Sequence, residues 1–395
     1  MSSGERIPVA SGILEWARRS AGYDVALAAK KLAVKEERLI VWEAGELAPT
    51  VTQLRNMAKL YKRPLAVLLL PSPPKDFDAL RDFRRTGEQV AHKWSPALHV
   101  EYKRAMSQRE VLLELAEISP SSLHGVSQDL GITREMDPEA AGQILREYLG
   151  MDGWRGAIAS NPRNTLRAAI DAAEGHGILV LQSRDVEIGE MRGFSISAWP
   201  YPVVILNGSD WPRPKLFTLL HELCHLALNA GGLCDLHEAK PGRGRAEDRL
   251  EHFCNQVAAS ALMPRAAVLN DVTVRTTRQW TLDALVEVSG KYAASSEAFL
   301  LRLVSLEKVD WDTYWRLKPQ LDARYARMRK EEKEKQRRAE GGPNYFVVKA
   351  RNLGRGYVES VLDAYHSRAI SSYDVADYLD IKFDQLPKLR EAVMR

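Results

Sequence analysis

The chain has 395 residues, 45% of them hydrophobic and 27% charged, and a formal net charge of +4. That is the balance of an ordinary globular protein long enough for two or three domains, and so mild a charge does not in itself demand a nucleic-acid partner. Three cysteines (Cys224, Cys234 and Cys254) make no disulfide framework, the first residues lack a signal-peptide pattern, and no apolar run reaches membrane-spanning length. The expectation is therefore a cytoplasmic protein with no membrane contact.

Residues 13–21 are amphipathic and stop at Gly22. VALAAKKL (Val25–Leu32) is a short Ala-rich helix; after Ala33-Val34 a second helix runs over 35–44 to Gly45, and a third over 50–61 opens on Thr50 as cap. Two helices joined by so short a turn predict helix-turn-helix geometry. WEAGELAPTVTQLRNMAKLYKRPLAVLLLP (residues 42–71) resembles the N-terminal domain of XRE-type repressors, and more narrowly XRE proteins fused to an ImmA/IrrE metallopeptidase. The resemblance implies that the second helix of the pair reads duplex DNA. Lys35 and Arg38 would be its contacts, with Lys30 and Lys31 on the phosphate backbone. Glu36 and Glu37 at the same helix start face phosphate unfavourably, which leaves the other use of such a bundle, protein docking or dimerisation, as open as DNA binding.

Pro71–Pro74 punctuates the chain, and the mixed-charge stretch 77–85 reads as a solvated linker. Helices are expected over 95–118, over 137–149 with Asp137 capping before Pro138, and over 164–175; 119–131 carries turn residues. Three short runs, 177–182 (GILVLQ), 191–197 (MRGFSIS) and 202–206 (PVVIL), are bounded by Gly, Pro, Asn and Asp as strands should be.

KLFTLLHELCHLALNA (residues 215–230) follows directly and contains His221, Glu222 and His225 as H-E-x-x-H. On a helix, residues four apart lie one above the other, so both imidazoles can grip one cation while Glu222 reaches a water bound to it. Pro212 and Pro214 precede the segment, Gly231-Gly232 offers a stop, and Leu216, Leu220, Leu223 and Ala227 form its apolar stripe.

A catalytic zinc wants a third protein ligand and an open position. A helix over 246–263 offers Glu247, Asp248, Glu251 and His252, and the loop before it offers His237; Glu247 and Glu251 share one helix face, and spacing does not separate them. Glu251-His252-Phe253-Cys254-Asn255, then Val257-Ala258-Ala259 and Leu262-Met263-Pro264, resembles the E-x-x-A-N-x-F-A-A-x-L-L-M-P segment of the ImmA/IrrE family. That resemblance implies Glu251 as third ligand and Zn2+ as the ion, with Cys254 and Val257 as apolar replacements. Cys224 and Cys254 read as small buried residues. Further on, 295–306 is a capped amphipathic helix, and Trp311, Tyr314 and Trp315 cluster before Lys318-Pro319. An exposed charged helix over 324–340 breaks at Gly341-Gly342-Pro343, and 357–395 reads as two or three helices with a cap at Ser371/Ser372.

The expected fold is α+β and mostly helical. Residues 1–74 form an XRE-like helix-turn-helix bundle, 75–140 a helical linker region, 141–308 a zincin-like ImmA/IrrE peptidase core with a small sheet, and 309–395 a C-terminal helical domain suited to dimerisation or docking. The expected activity is a zinc-dependent endopeptidase, Glu222 its base, that cleaves a specific regulatory protein such as a repressor or antitoxin-like partner and is coupled to DNA binding. The alternative is a DNA-binding repressor or antitoxin whose zinc site is structural or sensory.

Overall fold

The structure, a computed structural model, describes residues 6–72, 94–118, 130–154, 161–229, 246–338 and 344–394. The linker stretch 77–85, most of the 119–131 turn, the Gly231-Gly232 stop, the loop with Cys234 and His237, and the 341–343 break lie outside them. Contacts divide the chain into two units, Met1–Arg104 and Ala105–Arg395.

In the first unit come α1 (Ile13–Ser20), α2 (Val25–Leu32), α3 (Glu36–Glu43) and α4 (Val51–Tyr61), of which α2 and α4 begin at side-chain caps. Asp24 accepts the Leu27 amide at 2.7 Å, and Thr50 and Gln53 close a reciprocal capping box. The α2–α3 turn is sharp because Ala33 adopts a left-handed conformation at φ 55°. Ile13, Leu14, Leu39, Trp42, Leu54, Met57 and Tyr61 form the core, and inside it Arg18 grips Glu43 through two bonds of 2.7 and 2.9 Å. A fork matched to a carboxylate leaves neither charge unpaired.

The second unit begins within α5 (Pro96–Ile118) and continues with α6 (Pro138–Tyr148) and α7 (Pro162–Gly175). Asp137 accepts the amides of Glu139 and Ala140, as its place before Pro138 predicts. The α7 helix opens two residues earlier than expected, because Asn161 caps it and Pro162 occupies a first-turn position that needs no N–H. Then come β1 (Leu179–Gln182), β2 (Gly193–Ile196) and β3 (Val203–Leu206), all buried along their length.

Sheet order is β1-β3-β2, with β3 parallel to β1 and antiparallel to β2; Val204 pairs with Val180 on one side and Ser195 on the other. From α5, Arg109 clamps the β2–β3 connection by donating to the carbonyls of Ala198, Pro200 and Tyr201 at 3.0–3.2 Å.

The helix α8 (Pro212–Ala227) packs on β2, β3, α7 and α9 (Ala246–Leu262). It starts three residues before the expected Lys215, since prolines at its first and third positions remove only amides that have no helical partner. It also stops before the Gly pair, through Asn229 at φ 53°. Nearly every side chain from Lys215 to Leu226 is buried, so α8 is a central helix rather than an amphipathic one. In α9, Ser260 and Ala261 face α6, where a Cβ on Gly142 would stand 2.7 Å from the Ser260 Cβ.

Three short helices, α10 (Arg265–Asn270), α11 (Val272–Thr276) and α12 (Leu282–Lys291), lead to α13 (Ser296–Ser305), capped by Ser295 as expected. The next helix, α14 (Trp311–Arg338), runs unbroken through Pro319. Finally α15 (Tyr345–Leu353), α16 (Arg355–His366), α17 (Ser372–Tyr378) and α18 (Leu386–Met394) return toward the sheet, and α15 and α16 lie against β1. Among the described residues no helix is long and apolar enough to cross a membrane.

Candidate metal centre

His221 and His225 stand one turn apart on α8, and Glu251 reaches them from the neighbouring α9. The two Nε2 atoms are 3.0 Å apart, and the Glu251 oxygens lie 3.2 Å from His221 Nε2 and 3.3 Å from His225 Nε2. In a tetrahedral site with arms of about 2.1 Å, neighbouring donors would be separated by about 3.4 Å. The three spacings therefore match three edges of such a site. The donor set fits a divalent cation of borderline softness: two ring nitrogens and one carboxylate aimed at a common point. Among the described residues this is the one group of three or more such side chains able to hold a metal.

Burial gives the cluster its electrostatics. His221 is 0% exposed and His225 1%, whereas the Glu251 side chain keeps 26% of its surface, so Glu251 is the member of the cluster nearest solvent. Burial pushes the Glu251 carboxyl up, but hydrogen bonds with the two imidazoles outweigh it and bring the group to about 2. Its ionised form is the one a cation needs. His221 Nδ1 is buried with no hydrogen-bond partner, so no bond on that side of the ring adds to those at Nε2.

Glu222 points elsewhere. It is fully buried, and neither carboxylate oxygen has a hydrogen-bond partner. Burial raises its carboxyl above the ordinary value; His221, His225 and the Ser195 hydroxyl pull the other way, and Glu251 adds to the rise. The Ser195 hydroxyl, itself fully buried, faces this carboxylate without closing a bond of standard geometry. Ser195 and its neighbour Gly193 went unmarked in the sequence, where G-x-S within a strand has no signature beyond its alternation ahead of H-E-x-x-H.

The other candidates separate. His252 is exposed beside Glu251, and His237 is outside the described residues; of Glu247 and Asp248 only the helical backbone is described. Cys224 and Cys254 are buried on α8 and α9. Lys30, Lys31, Lys35 and Arg38 are exposed in the first unit, along α2 and the start of α3.

No curated protein matches the chain. A family model does match, over about a third of the chain from the end of α7 into α13, and that span includes β1–β3, both helices of the His221, His225 and Glu251 cluster, and Glu222. Residues 173–304 are similar to Peptidase_M78, the IrrE N-terminal-like domain, and this supports a peptidase of the IrrE/ImmA type.

Proposed function

We propose that the chain is a zinc-dependent endopeptidase in which His221, His225 and Glu251 hold the ion and Glu222 is the general base. The observation that carries this reading is the pairing of a three-donor cluster at ligand spacing with a free carboxylate on the next residue of the same helix. An inert structural site has no use for that carboxylate. A bound zinc would supply Lewis acidity toward the peptide carbonyl and lower the pKa of its water toward 7. Glu222, its carboxyl raised by burial, is suited to taking the proton of the attacking water and passing it to the leaving amine. The edge position of β2 suits capture of extended substrate backbone as a further strand, once the buried strand is uncovered. The expected substrate is one regulatory protein, a repressor or antitoxin-like partner encoded nearby.

Two experiments test this. Elemental analysis should find one equivalent of zinc in the parent and a small fraction of that in Glu251→Ala; full retention would remove Glu251 from the site. Incubation with proteins encoded beside its gene should give cleavage that falls about 10²–10⁴-fold in Glu222→Gln. Undiminished cleavage would show that the base is another group.

A second reading rests on the exposure of Lys30, Lys31, Lys35 and Arg38 together at the α2–α3 turn. Here the first unit binds duplex DNA, and the zinc site regulates or stabilises it. Affinity for its own promoter would then fall steeply with salt, whereas a flat response would mean no phosphate is contacted.

A further inference from the structure

We propose that Ser195 of β2 is a positioning residue that holds the Glu222 carboxylate, an inference that rests on reading Glu222 as the base. Alternate residues of a strand face opposite sides, so Gly193 and Ser195 share one face of β2. That face lies on α8: a Cβ added to Gly193 would stand 2.4 Å from Thr218 Cγ2 and 3.5 Å from Glu222 Oε1. Into this tight seam project two fully buried polar groups, the Ser195 hydroxyl and the Glu222 carboxylate, and neither has a hydrogen-bond partner.

Buried polar groups are seldom left unsatisfied, and a hydroxyl turns freely about its bond to carbon. Donation from Ser195 Oγ to one Glu222 oxygen satisfies both and fixes the plane of the carboxylate. The other oxygen is then free for the water proton. The absence of a side chain at Gly193 keeps β2 close enough to α8 for this reach. If Ser195 merely filled space, alanine would serve as well, because deleting an unpaired buried hydroxyl is neutral or stabilising.

The test uses the zinc-loaded full chain and acetohydroxamic acid as probe, with affinity read by calorimetry. A hydroxamate chelating the metal yields its proton to a carboxylate beside it, so its affinity reports where Glu222 is held. Ser195→Ala should keep one equivalent of zinc, yet unfold at a somewhat lower midpoint, because the Glu222 carboxylate loses its donor, and bind the probe about five- to tenfold more weakly. Glu222→Ala should weaken it further, and adding Ser195→Ala to that variant should change nothing more. The proposal is overturned if Ser195→Ala binds like the parent, if its effect is undiminished without Glu222, or if it loses zinc. Equal affinity in the parent and Glu222→Ala would instead refute the reading of Glu222 as base.

Discussion

Lys215 ties the first turn of α8 to the sheet. It is 5% exposed, and its Nζ donates to Gln182 Oε1 at 2.8 Å and to the Gly208 carbonyl at 3.0 Å. Both partners are neutral. Burial, with Arg351 nearby, lowers the ammonium to about 8, and Asp210 only partly opposes this. In the unfolded chain a lysine titrates at about 10.4. Between those values the unfolded chain holds a proton that the folded one has released, so stability rises with pH across that window. Urea midpoints of metal-free protein should climb from pH 8 toward 10, and Lys215→Met should make that climb shallower without abolishing it, since burial lowers Lys103 to about 8 as well; a variant as steep as the parent would mean the Lys215 ammonium is not desolvated. No sequence pattern marks this lysine, since its burial depends on where β1 ends. His221 and His225 are legible because helix periodicity alone stacks them, and Glu222 because it stands next to His221 in the H-E-x-x-H spacing. Glu251 is not separable from Glu247 by spacing, and only the likeness of the Glu251–Pro264 motif favours it.

At the scale of elements, start signals read well and tertiary contacts do not. Asp24, Thr50, Asp137, Ser295 and Ser371 all cap the helices they precede, because a cap acts within three residues of its side chain. The seam between β2 and α8 has no such local trace. Gly193 is required there not for its backbone angles but for space, since a Cβ would meet Thr218 Cγ2 at 2.4 Å and the Ile205 carbonyl at 3.1 Å. Thr218 is buried, with a β-branched side chain of few rotamers, and the carbonyl belongs to the paired strand β3, so neither yields readily. Gly193→Ala should therefore cost about 1–3 kcal/mol by overpacking, read as a lower urea midpoint. Adding Thr218→Ser, which removes the offending methyl, should recover part of the loss. Failure to recover any would place the strain at the Ile205 carbonyl instead.

At the scale of the whole chain, the helices after residue 338 complete the sheet. The edge of β1 away from β3 would otherwise offer unpaired backbone, the kind of edge that recruits other chains. The α15–α16 joint lies on it: Gly354, at φ 85°, comes so near that a Cβ would stand 2.8 Å from the Val180 carbonyl. Two further bonds hold the joint, from Gln108 to the Leu353 carbonyl at 2.8 Å and from the Gly356 amide to Glu174 at 3.0 Å. These partners lie some 180 residues or more away in sequence. That distance is why the tail reads locally as helices of its own and gives no hint of the strand it covers. A chain ending at residue 338 loses this cover, including α16 with its buried Tyr357, Val358 and Val361, and bares the parts of β1 and α7 on which α16 packs. It should elute from a sizing column as large aggregates, while the full chain elutes as a compact species. Because β1, β3 and α8 share one core, the truncated chain should also take up less zinc. A truncated chain that stays compact and fully loaded would show that the sheet and metal helix are stable without their C-terminal cover.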